Sequence, residues 1–209
     1  MRVFLIFFIA VNYLGFSQDL EEKYFNINKE EISKRKFRKS KDYAVNVPVF
    51  YQNDSMRVGM LVKRKNYGIL EREEFEQLKQ YLSKLTKRKF EEQKTILINY
   101  LSSTPKTPYF GKKSHWTILR KENIEKITRL DNVEHIWINN PKNQNLEYFH
   151  KDRINWVEDS SRVVERLFFP YEFEFGNFVV INPQGKYISY FAEYGPEKVI
   201  AFIKESENL

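Results

Sequence analysis

Lys94-Thr95-Ile96-Leu97-Ile98-Asn99-Tyr100-Leu101 is the stretch on which the fold turns. From Thr95 onward it is a nearly unbroken apolar run of strand length, the pattern of a strand covered on both faces. Ser102 to Pro108 follows as a breaker rich in proline and threonine. Beyond it, Ile118, Ile124, Ile127 and Leu130 share one side of a helix expected over about 116–130. Val133 to Ile138 reads as the next strand. After a polar stretch, Ser160 or Ser161 is placed to cap a short helix carrying Val163, Val164, Leu167 and Phe168. Phe178–Ile181 and Lys186–Phe191 flank Asn182-Pro183-Gln184-Gly185, whose proline and glycine positions suit a type I turn, so an antiparallel hairpin is expected. Gly195-Pro196 then opens a last helix with Val199, Ile200 and Ile203 facing inward. The order is β-α-β-α-β-β-α, an α/β three-layer sandwich: helix-linked strands parallel, the closing hairpin antiparallel, helices on both faces.

Working toward the N-terminus, Phe75, Leu78, Leu82 and Leu85 form the stripe of an amphipathic helix over about 72–88. Val45, Val47, Val49 and Tyr51 alternate as in a strand, with Pro48 arguing for an edge position. Asn53-Asp54-Ser55 turns the chain into a second strand from Val58 to Lys63. Residues 45–91 therefore read as a hairpin-plus-helix extension ahead of a main domain at 92–209. Residues 18–44 show no sustained period, and Lys34 to Lys41 places six cations in eight positions. Such a block repels itself and reads as a basic flexible arm, with contact to an anionic polymer as its functional alternative. Lys63-Arg64-Lys65 and Lys87-Arg88-Lys89 repeat the theme. Residues 1–17 combine Arg2, an apolar run from Val3 and a small-x-small pattern at Gly15-Phe16-Ser17, the marks of a secretory signal peptide. The expectation is export to the periplasm or beyond, without stable membrane insertion after cleavage.

The 209 residues carry a net charge of +7, and 42% are hydrophobic, with 18 Phe and 13 Tyr, so one packed domain is within reach and global disorder is excluded. There is no cysteine. Disulfides, thiol chemistry and cysteine-ligated metal or iron–sulfur sites are excluded with it. His115, His135 and His150 show no metal-site spacing. His135 in its strand reads as a packed core residue. Glu172 and Glu174 would share a face of an extended segment, where a half-exposed strand explains them as well as acid–base chemistry does.

Lys94 to Tyr100 is similar to the strand entry Lys-Val-Val-Leu-Val-Asn-Phe, and Phe178 to Lys186 to the hairpin Phe-Leu-Ile-Asp-x-x-Gly-Lys, of the exported thiol–disulfide interchange and peroxiredoxin-related branch of the thioredoxin-like superfamily. The resemblance covers about 94–206. It implies that Thr104-Pro105-Lys106-Thr107, or in another register Thr107-Pro108-Tyr109-Phe110, stands where redox-active members carry two cysteines. Their cis-proline falls on Gly176, and thiol–disulfide exchange is excluded. What remains of the implied peptide groove is Thr104, Pro105, Lys106, Thr107, Tyr109, Trp116, Gly176 and Asn177. The functional expectation is a redox-inactive domain with no cofactor that binds a protein or peptide, with catalysis of another kind left open but not favoured. The alternative is an envelope-associated structural or adhesive protein whose Lys34–Lys41 arm holds anionic polymers.

Overall fold

The computed structural model describes residues 20–103, 113–142, 145–173 and 175–209. Two sheets and five α-helices make up a mixed α/β molecule over these residues. The smaller sheet contains β1 (Glu21–Phe25), β2 (Asn46–Gln52) and β3 (Met56–Lys63) in the order β1-β3-β2, with α1 (Lys34–Lys39) packed against it. β2 and β3 form the expected hairpin, and β2 with Pro48 is an edge strand.

The chain crosses to the larger sheet through one residue. Arg64 donates its backbone N–H to Val45 O and accepts from Phe191 N on the other side, both at 2.9 Å. β4 (Lys65–Ile69) and α2 (Arg72–Thr86) follow, then β5 (Thr95–Ser103), a 3-10 turn at Thr117–Leu119 and α3 (Lys121–Thr128). β6 (Val133–Asn139), β7 (Trp156–Glu158), α4 (Val163–Phe168), β8 (Phe175–Ile181), β9 (Lys186–Tyr190) and α5 (Pro196–Ser206) complete the molecule. The larger sheet runs β4-β9-β8-β5-β6-β7. β5 is parallel to β6 across the helical connection, and β8 and β9 are antiparallel neighbours, as the element order requires.

β5 is central, and the alternation of its side chains sorts the core. Ile96, Ile98 and Tyr100 join Phe75, Leu78 and Leu82 of α2, Val164 and Phe168 of α4, and Val47, Val49 and Val62 of the small sheet. Leu97 and Leu101 point the other way, to Ile118, Ile127, Val199, Phe202 and Ile203. Both faces are covered, which is why the run carries no polar alternation. Of the three residues expected to face inward on α5, Val199 and Ile203 are buried and Ile200 is half-buried.

Several expectations are corrected. The stretch read as a flexible arm is folded: β1 pairs in parallel with β3, and α1 is docked by Phe37, 1% exposed, against Tyr24 at 4.9 Å between ring centroids. One aromatic among five cations gives no period, so the helix is legible only through its tertiary contact. The boundary near 91 does not separate two units, because β4 pairs with β9 and α2 covers the same sheet. The helix expected from 116 begins as a 3-10 turn and becomes α-helical only at Lys121. Neither Ser160 nor Ser161 caps α4. Asp159 does, accepting from Val163 N at 2.9 Å and Glu165 N at 3.0 Å.

Candidate functional site

Thr104, Pro105, Lys106, Thr107 and Tyr109 of the expected groove lie outside the described residues, as does Glu174 of the acid pair. The chain is described up to Ser103, whose hydroxyl donates to Phe173 O at 2.8 Å and whose strand partner is Phe175. Trp116 and Gly176 are brought together, so closely that a β-carbon on Gly176 would lie 2.3 Å from the indole ring. Trp116 is only 3% exposed; its Nε1–H donates to Tyr194 O at 2.7 Å, and its ring meets Tyr194 edge-on. Asn177 is fully buried: its Nδ2 donates to Ser102 Oγ at 2.5 Å and its Oδ1 accepts from Ala192 N at 2.9 Å. The Trp116 and Asn177 side chains are buried and their hydrogen bonds turn inward. Of the expected groove, Trp116, Gly176 and Asn177 are buried and pack between β8, the 3-10 turn and the segment before α5; its other five residues lie outside the described ones.

Behind them runs a polar chain, buried at Tyr194 and Asn99 and half-buried at His135. The Tyr194 hydroxyl shares its single hydrogen between Asn99 Oδ1 and, at 3.1 Å, Asn177 O. Asn99 Nδ2 lies 2.5 Å from His135 Nε2. Burial first, and the nearby Arg88 charge second, push the His135 imidazole down to about 3. The ring is therefore neutral and accepts from Asn99. Burial alone drives the Tyr194 phenol well up. Every member is held in its uncharged form, which suits a structural role and not proton transfer near neutrality. On the opposite face, Tyr81 donates to Asp159 at 2.6 Å, and burial followed by that hydrogen bond raises its phenol to about 12. Among the described residues no cluster of three His, Asp or Glu side chains could hold a metal ion.

The open, charged feature lies on the small sheet, in a cleft of about 490 Å³. α1 is capped by Ser33, whose Oγ accepts from Lys36 N at 3.3 Å, and Phe37 fixes its rotation. The i, i+4 spacing then puts Lys34 and Arg38 along the cleft, and Lys41, just beyond the C-cap Ser40, lines it as well. β1 contributes Glu22 and Tyr24, β2 Phe50 and Gln52, and β3 Arg57. Glu22 is paired with Lys34 at 2.5 Å and with Arg57 at 3.7 Å, so its carboxyl is held below the usual range, chiefly by Lys34. Arg57 also donates from Nε and Nη2 to Gln52 Oε1 at 3.0 and 2.8 Å. Lys41 lies over Phe37 at 5.3 Å and Phe50 at 5.7 Å, with Phe50 itself 53% exposed. Arg38 and Lys41 have no acidic partner among the described residues. Four cations share this cleft with one carboxylate, so its field is positive.

The sequence flags Lys34–Lys41 by charge but not the cleft. The available signals were the 34, 38, 41 spacing and the lone Phe37 among cations; Glu22, Phe50 and Arg57 arrive only through the β1-β3-β2 pairing. In the other basic triplets, three of the six cations have structural bonds. Arg64 donates to Phe191 O, Tyr43 O and Glu193 O, Lys65 to Glu205, and Arg88 to His135 O. Comparison with known proteins gives no match among family models, curated proteins or solved structures.

Proposed function

We propose that this chain is an exported, redox-inactive, thioredoxin-like protein that acts by binding, and that its binding site is the basic aromatic cleft, which takes an anionic polymer. What supports the fold reading is the contiguous β9-β8-β5-β6 run, with β5 and β6 parallel across a helix and a closing antiparallel hairpin. The contact of Trp116 with Gly176, two positions the resemblance pairs, points the same way. The absence of cysteine removes the chemistry of that superfamily and leaves recognition as its use. One observation carries the ligand class: Arg38 and Lys41 stand in an open cleft with no acidic partner of their own among the described residues. Such cations attract polyanions at range and release counterions on contact, so affinity falls steeply with salt.

The test is titration of the protein with dextran sulfate at several salt concentrations, wild type against the double variant R38Q/K41Q. Both side chains lie outside the core, so the fold persists, as circular dichroism will verify. The double variant is expected to bind at least tenfold more weakly at low salt, with a shallower salt slope. Equal affinity and equal slope would refute the assignment. Deleting residues 29–41 is a poorer test, because it also removes the buried Phe37.

A further inference from the structure

We infer that the polymer bound in the cleft is an anionic polysaccharide, recognised through its hydroxyl groups and one ring face as well as its charge. This rests on the anion-binding reading above and adds the ligand's chemistry. The cleft is not uniformly basic: the Glu22 carboxylate sits between Lys34 and Arg57. A chain of phosphates offers acceptors only, and would leave Glu22 facing like charge. A uronic-acid or sulfated glycan offers both kinds of group. Its hydroxyls donate to Glu22, and they accept from Gln52 Nε2, which has no partner among the described residues. Its carboxylates or sulfates meet Arg38 and Lys41.

The aromatic component fits the same ligand. Phe50 presents one half-exposed ring beside the Lys41 ammonium, while Tyr24 and Phe37 are buried beneath the helix. A single apolar platform flanked by a cation matches one sugar ring, whose C–H face is apolar and whose rim carries the charge. A single-stranded nucleic acid uses a series of rings along a basic track, and this cleft has only one. Lys34 and Arg38 lie one helical turn apart on α1, roughly 6 Å along its axis, and Lys41 just past the helix end sits beside the ring, so charge is read along a line running past it.

The experiment compares the full chain's affinity for polygalacturonate and dextran sulfate with that for inorganic polyphosphate and poly-dT, at matched charge concentration and 0.15 M salt. At least one glycan is expected to bind tenfold or more tighter than polyphosphate and poly-dT; its identity distinguishes carboxylate from sulfate recognition. F50A is expected to weaken glycan binding about tenfold and leave polyphosphate unchanged. E22Q is expected to narrow the preference by strengthening polyphosphate binding. Polyphosphate or poly-dT binding as tightly as both glycans, or F50A without effect, overturns the inference while leaving the anionic cleft intact. Failure of all four polymers to bind even at 0.05 M salt overturns the anion-binding reading itself.

Discussion

Acidification from pH 7 to pH 5 will destabilise this protein through His135. The imidazole is neutral in the fold, pushed down to about 3 by burial and by Arg88, whereas in the unfolded chain it titrates near 6.5. The unfolded state therefore binds the extra proton. The stability this histidine leaves intact is fully present above about pH 6.5 and drains away as pH falls from there toward 3. At about 1.4 kcal/mol per pH unit, the 1.5 units between 6.5 and 5 cost about 2 kcal/mol. For a chain of this size that moves a urea midpoint down by roughly 1 M. Carboxyls held low by cations, such as Glu22 and Glu165, lose their contributions below about pH 4.5, outside this window. The assay is urea denaturation at pH 7, 6 and 5 for wild type and H135Q. Glutamine can still accept from Asn99 but cannot titrate, so the variant's midpoint should fall much less. Parallel decline of the two would refute the assignment of a neutral His135 in the fold.

Three further outcomes are expected. Phe37→Ala removes the only buried side chain of α1 and should cost about 3–5 kcal/mol, with rapid proteolysis within 34–41 as the readout. Asp159→Ala strips two backbone N–H groups of α4 and the Tyr81 hydroxyl of their acceptor and should cost about 2 kcal/mol in chemical denaturation. Gly176→Ala drives a methyl group into the Trp116 ring and should cost about 1–3 kcal/mol, together with a change in tryptophan fluorescence; an unshifted spectrum would contradict the packing described.

Elements whose burial is written in their own sequence were legible. β5 shows both covered faces in its apolar run, the β8–β9 hairpin in its Pro-Gly turn, and α2 and α5 in their stripes. The elements missed are those held by distant partners. β4 reads Lys-Asn-Tyr-Gly-Ile, poor in strand formers, with Tyr67 and Ile69 exposed; only pairing with β9 makes it a strand. β7 has three residues, too few for any period. α1 hides its single anchor among charges. The meeting of Trp116 and Gly176 was implied by resemblance, but which of the neighbouring atoms would be consumed by internal bonds was not, since Tyr194 and Ser102 are supplied by other segments. The cleft was half visible: charge is compositional, whereas its floor depends on strand register.

The one-residue passage through Arg64 bears on how the molecule is made. β4 leaves the ribosome early, yet its neighbour β9 is almost the last strand synthesised, and the Arg64–Phe191 bond spans 127 positions. Until the final hairpin emerges, β4 and β8 lack the strand that joins them, and the small sheet is tethered to an unfinished neighbour. Such long-range closure slows folding and leaves intermediates with bare strand borders. A nascent chain stalled before Lys186 should consequently need a chaperone's shelter, whereas one released at full length can close its larger sheet.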